Sequence, residues 1–155
     1  MNSLVAYYSE FGNTARIAHA IGEALEKAGT TLVIDLKRLT VSDLKGRDLL
    51  VVGVPTHRMN LPEAVQTLLR AFPRKVFARN ARFAAFDTSY KMSRWLRPFT
   101  ASHKLSGRLK RLGGKRAVPP ETFHVVGREG PLLDGEIERA KSWAGMIVEG
   151  MQRSG

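Results

Sequence analysis

Apolar residues in this chain follow two alternating patterns, short continuous runs and stripes at helical spacing. The run Leu4-Val5-Ala6-Tyr7-Tyr8 predicts a buried strand. Behind it Ile17, Ile21, Leu25 and Ala28 recur as one helix face, and Gly29 follows as a stop. Leu32-Val33-Ile34-Asp35-Leu36 predicts a second strand. The third, Leu49-Leu50-Val51-Val52-Gly53-Val54, is apolar throughout, as expected of a central parallel strand covered on both faces. Pro62 suits the first turn of a helix with Val65, Leu68, Leu69 and Phe72 inward. Phe83-Ala84-Ala85-Phe86 predicts a fourth strand ending at Asp87. Leu105, Leu109 and Leu112 then mark a basic amphipathic helix closed by Gly113-Gly114. Phe123-His124-Val125-Val126 predicts the fifth strand. A last helix follows, with Asp134 as its expected N-cap and Ile137, Ala140, Ala144, Ile147 and Met151 as its core face.

Strand–helix alternation carried this far predicts a doubly wound α/β fold, one domain over residues 1–155 with a parallel sheet. Right-handed crossovers place the first and last helices on one face, and the helices after strands two, three and four on the other. Ligands in such folds sit beyond the carboxyl ends of the strands, where strand order reverses. The loops after strands one, three and four therefore carry the expected site.

No apolar stretch approaches the ~20 residues of a membrane-spanning helix, and the first residues lack the basic start of a secretory signal. Zero cysteines exclude disulfides, thiol catalysis and cysteine-ligated metals. A cytoplasmic location is the expectation. His19, His57, His103 and His124 are scattered without ligand spacing, so no metal site is expected.

Positive charge is concentrated in one part of the chain. The chain carries 25 Lys+Arg against 14 Asp+Glu, a formal net charge of +11. Fourteen of the basic side chains and a single acidic one, Asp87, fall between residues 64 and 120. Such a block marks either an anionic partner or a solvated basic face. Nucleic acid is the less favoured partner, because the block has neither an aromatic stacking pattern nor a helix-turn-helix.

The loop after strand one reads Ser9-Glu10-Phe11-Gly12-Asn13-Thr14 and opens directly into a helix. Its hydroxyls, its glycine and the free amides of a helix start suit a phosphate. An ordinary strand-to-helix turn capped by Ser9 or Asn13 is the alternative. Neither the Gly-Lys-Ser/Thr loop of nucleoside triphosphate sites nor the dinucleotide G-x-G-x-x-G occurs here.

Tyr8-Ser9-Glu10-Phe11-Gly12-Asn13-Thr14 resembles the phosphate loop of the flavodoxin family, and the element order extends that resemblance over essentially the whole chain. Pro55-Thr56-His57 after strand three, Phe86-Asp87-Thr88 after strand four and Gly130-Pro131-Leu132 before the last helix resemble a subgroup of small flavodoxin-domain proteins. The resemblance implies a flavodoxin-like three-layer fold with a five-stranded sheet in the order 2-1-3-4-5 and non-covalently bound FMN. It implies that Ser9, Glu10, Phe11, Gly12, Asn13 and Thr14 anchor the phosphate. Pro55, Thr56, His57, Arg58 and Met59 would lie along one side of the flavin, with Thr56 toward the phosphate or ribityl chain. Asp87, Thr88, Ser89 and Tyr90 would lie along the other, with Thr88 and Ser89 at the pyrimidine edge and Tyr90 stacking on the ring. Typical flavodoxins stack an aromatic, often tryptophan, where this chain has His57 and Met59, and their flipping glycine is missing from this loop.

Asp87 at a strand end also invites a phospho-acceptor, but the acidic pair of a receiver domain is absent after strand one. Trp95, Leu96 and Phe99 are expected to pack on the domain surface, on a segment long enough for a lid or a docking loop. By resemblance the chain acts in electron transfer or as a small flavin oxidoreductase, with no side chain in acid–base work. The alternative is a flavodoxin-fold binding module with weak or no FMN that engages an anionic partner. Electron-carrier flavodoxins are typically acidic. The inverted sign here favours an acidic redox partner, an anionic substrate or a membrane surface. A quinone-linked flavodoxin-like oxidoreductase also carries a basic insertion after its fourth strand, a likeness of charge and position only.

Overall fold

Each apolar run becomes a strand of one parallel sheet in the computed structural model, which describes residues 1–153. Ser154 and Gly155, the end of the expected domain, lie outside the described residues. The strands β1 (Asn2–Tyr7), β2 (Thr30–Asp35), β3 (Leu49–Pro55) and β4 (Arg82–Tyr90) pair in the order β2-β1-β3-β4. β5 (Lys115–Arg116) and β6 (Glu121–Val125) both pair with the far side of β4. The order 2-1-3-4-5 is therefore the one observed, with the fifth position shared by two pieces. Pro119 and Pro120 separate them, since proline has no N–H to give a ladder.

Helices α1 (Asn13–Leu25) and α4 (Glu136–Gln152) cover one face of the sheet, and α2 (Glu63–Ala71) and α3 (Ala101–Arg111) the other. On the first face Ile17, Ile21 and Leu25 pack with Ala144, Ile147 and an aromatic triad. Phe86, Phe123 and Trp143 meet edge to face with centroids 5.8–6.1 Å apart. On the second face Leu4, Leu50, Val52 and Phe83 meet Val65, Leu69, Leu105 and Leu109. Strand order reverses between β1 and β3, and this sets the crevice at their carboxyl ends.

Four expectations are corrected. No α-helix follows β2; two 3-10 turns, Leu36–Arg38 and Val41–Leu44, replace it. The spacing of buried Leu36, Leu39 and Leu44 would suit a helix face, but the side chains of Asp35, Thr40 and Asp43 bond nearby backbone and hold the segment in turns. β4 does not stop at Asp87 but continues to Tyr90, because β6 supplies partners in the register Thr88↔Phe123, Ser89↔His124 and Tyr90↔Val125. Asp134 is not the cap of α4; Gly135, at φ +83°, holds that position. Trp95 and Phe99 do not pack down, being 73% and 56% exposed on a 3-10 segment, Arg94–Phe99.

Candidate cofactor site

Gly12 makes the turn from β1 into α1. Its φ of +91° lies in the left-handed region that glycine enters without penalty, and its amide donates to the Ser9 hydroxyl at 3.0 Å. The next amides, of Asn13, Thr14 and Ala15, meet no acceptor among the described residues. With the helix dipole behind them they are arranged to accept an anion.

Four segments converge in front of those amides. The cleft is lined by Ser9, Glu10, Phe11, Asn13 and Thr14, by Pro55, Thr56 and His57, by Thr88, Ser89 and Tyr90, and by Val125 and Arg128. Of the residues expected from sequence, Gly12, Arg58, Met59 and Asp87 are not among its lining. Gly12 shapes the loop from behind. Arg58 and Met59 form the tip of a tight turn in which His57 and Asn60 exchange two backbone bonds of 2.9 Å. Both tip residues have positive φ, 49° and 59°, the geometry of a type I′ turn without its usual Asn-Gly. The Lys104 ammonium fastens this tip, donating to the Met59 carbonyl at 2.6 Å.

Asp87 lies fully buried beneath the cleft. Its Oδ2 accepts the Thr56 hydroxyl and, at 3.2 Å, the Ser102 amide. The same Thr56 oxygen accepts the Ala101 amide at 3.1 Å. Asp87 on β4 and Thr56, just past the end of β3, thus satisfy the first amides of α3, which has no side-chain cap of its own. Burial pushes the Asp87 carboxyl above its ordinary range, opposed by the Thr122 and Thr56 hydroxyls, the Ser102 amide and the His103 side chain. The donor of the Thr56 hydroxyl is therefore spent away from the cleft, leaving one lone pair. Thr88 is likewise engaged, its hydroxyl 2.8 Å from that of Thr14.

Sequence reasoning missed Val125 and Arg128. The loop after β6 folds back over the helix start, with the Val126 amide on the Pro131 carbonyl at 2.9 Å and Asn13 Nδ2 on the Glu129 carbonyl at 3.1 Å. The Arg128 guanidinium then stands 6.0 Å from the centre of the Phe11 ring. The signal available was Gly127-Arg128-Glu129-Gly130 at the carboxyl end of the fifth strand, a loop that the switch-point rule does not single out.

The arrangement can grip a phosphate with amides and present two exposed rings, Phe11 and Tyr90, to a flat ligand. Its only exposed carboxylate is Glu10, with no acid partner in the lining, so the side chains offer no general acid–base pair.

A family model described as Flavodoxin matches residues 5–143. The chain belongs to the flavodoxin family. FMN is accordingly its cofactor, and the unpartnered amides and exposed rings of the cleft fit it. The flavodoxin chain is 29% identical over 144 residues to NADPH-dependent diflavin oxidoreductase 1 of Emericella nidulans, covering 85% of this chain and 21% of that protein. It spans about a fifth of the length of that curated relative. Among solved structures, an archaeal flavodoxin superposes with a TM-score of 0.72 at 21% identity, over 98% of this chain and 99% of that one. Flavodoxin 2 from Bacillus cereus superposes with a TM-score of 0.78 at 18% identity, over 96% and 99%. At these identities the superpositions speak to the fold.

Proposed function

We propose that this flavodoxin domain holds FMN in the cleft at the carboxyl ends of β1, β3 and β4 and passes electrons between it and an acidic redox partner in the cytoplasm. The observation that carries the reading is the meeting of three unpartnered helix-start amides with two exposed aromatic rings in one cleft. The amides of Asn13, Thr14 and Ala15 take the phosphate. Tyr90, Phe11 and His57 border the ring, and Arg128 closes the phosphate side. Bound FMN supplies reversible electron exchange, and the protein supplies binding, orientation and exclusion of water.

The acidic partner follows from the basic block. Among the described residues, no cation between 64 and 120 takes part in an ion pair, and the one carboxylate of that block is buried. The field of that block is therefore uncompensated, which favours an anionic surface as its partner.

Titration of flavin fluorescence tests the site. A Gly12→Val variant, strained at φ +91° in the turn that aims those amides, is expected to bind FMN at least about tenfold more weakly, a change of ~1.4 kcal/mol. FMN binding as tight as the parent's would overturn the assignment. The partner reading is tested by Arg94→Glu/Arg97→Glu, expected to slow electron exchange with an acidic partner most at low salt.

A further inference from the structure

We propose that the groove between α3 and the His57–Asn60 turn receives an acidic helix of a partner protein, seated beside the FMN cleft. The proposal rests on the FMN reading above and adds where the partner sits and what it presents.

The turn is a wall shared by two concavities. His57 faces the cofactor cleft, while Asn60 and Leu61 line the groove behind it. Across the groove stand Lys104, Arg108 and Arg111, on α3. Their spacing of four and three residues puts them on one helix face, over a rise of about 10 Å. None of the three takes part in an ion pair among the described residues. No carboxylate among the described residues, the exposed Glu63 at the start of α2 included, makes an ion pair with them. Carboxylates spaced four and three apart on an antiparallel helix match this row.

Gly107 is a second observation pointing to a close-packed helix. It sits mid-helix, where glycine costs about 1 kcal/mol relative to alanine. The cost has no internal reason, since a Cβ there would meet nothing within 4 Å. What the missing side chain does is lower the crest of α3 between this groove and the concavity lined by His103, Ser106 and Lys110. A partner helix can approach α3 closely there. The concave shape argues against a bilayer, which meets a protein as a flat surface. Lys104 also fastens the Met59 carbonyl, so a carboxylate drawn to its ammonium arrives next to the turn that borders the cofactor.

The test uses the FMN-loaded protein and an alanine–glutamine helical peptide of about 20 residues, carrying glutamate at spacings of four and three. Its twin carries glutamine at those positions, and calorimetry measures both. The glutamate peptide is expected to bind and the glutamine peptide not. Arg108→Glu/Arg111→Glu is expected to weaken binding by at least about tenfold, and Arg74→Glu/Arg79→Glu, the same charge change elsewhere in the block, by less than about threefold. Gly107→Ala is expected to melt no lower than the parent yet bind the peptide several-fold more weakly. Equal losses in the two double variants, full binding by Gly107→Ala, or tighter binding to phosphatidylglycerol vesicles or duplex DNA than to the peptide would each overturn the groove. FMN affinity is measured on every variant, so a failed groove with normal FMN binding is distinguishable from a failed cofactor site.

Discussion

The Thr14 hydroxyl, on the first turn of α1, lies 2.8 Å from the Thr88 hydroxyl on β4, and both residues are almost fully buried. This contact ties the phosphate loop to the strand that borders the other side of the cleft. Thr88→Val should cost about 1–2 kcal/mol in urea unfolding, since it strands a buried hydroxyl. Thr14→Val should cost about as much, but the double variant should cost less than the sum, because replacing both partners leaves nothing unpaired. Strict additivity would show that the two hydroxyls do not depend on each other.

Arg128 is the cation that the Ser9–Thr14 loop itself lacks, and it stands over the ring of Phe11 in that loop. Arg128→Ala should weaken FMN about ten- to a hundredfold, in line with ~1.5–3 kcal/mol for a charge-assisted hydrogen bond. Riboflavin, which has no phosphate, should bind the variant as it binds the parent. Equal losses for both ligands would move Arg128 from the phosphate to the ring.

Asp87 gives the fold a pH dependence of defined sign. Its folded pKa is raised, first by burial, so the folded state holds this proton more tightly than the unfolded chain does. Stability therefore falls as pH rises from the ordinary carboxylate range through the folded pKa, and the charged group above it carries the whole penalty. Asp87→Asn should gain on the parent across that window, read as the difference in urea midpoints against pH. A flat difference would mean that the carboxyl titrates normally.

Glu136 has the opposite sign. Burial works against its charge, but the Arg139 guanidinium at 2.8 Å and the His124 amide at 2.6 Å outweigh it and depress the pKa. Its contribution is present above the unfolded value and lost as pH falls through the folded one. Glu136→Gln should cost about 1–2 kcal/mol at neutral pH and nothing in strong acid, a magnitude kept low by the part-exposed Arg139. An equal cost at both ends of the pH range would point to shape rather than charge.

Much of the cleft was readable because its loops are local. The run Ser9–Thr14 carries its own turn and helix start, and the apolar third strand announces a position covered on both sides. The misreadings have physical causes. Thr88, Ser89 and Tyr90 read as a loop because their polarity is that of a loop, yet β6 offers them strand partners more than thirty residues away in sequence. The segment after β2 read as a helix by analogy with the other crossovers, yet Thr40 and Asp43 bond their own backbone and hold it to 3-10 turns.

The alternation of strands and helices, the phosphate-type loop and the confinement of positive charge to one block are written locally in the sequence. Those properties depend on residues near one another in the chain, where side-chain period and capping chemistry act. Long-range packing makes the Thr56 hydroxyl turn to Asp87 and α3, brings Arg128 to the helix start, and sets Lys104, Arg108 and Arg111 against a groove sharing a wall with the cleft. Each joins segments far apart in the chain, and only the packing of α3 and the β6 loop onto the finished sheet brings them within hydrogen-bond or electrostatic reach.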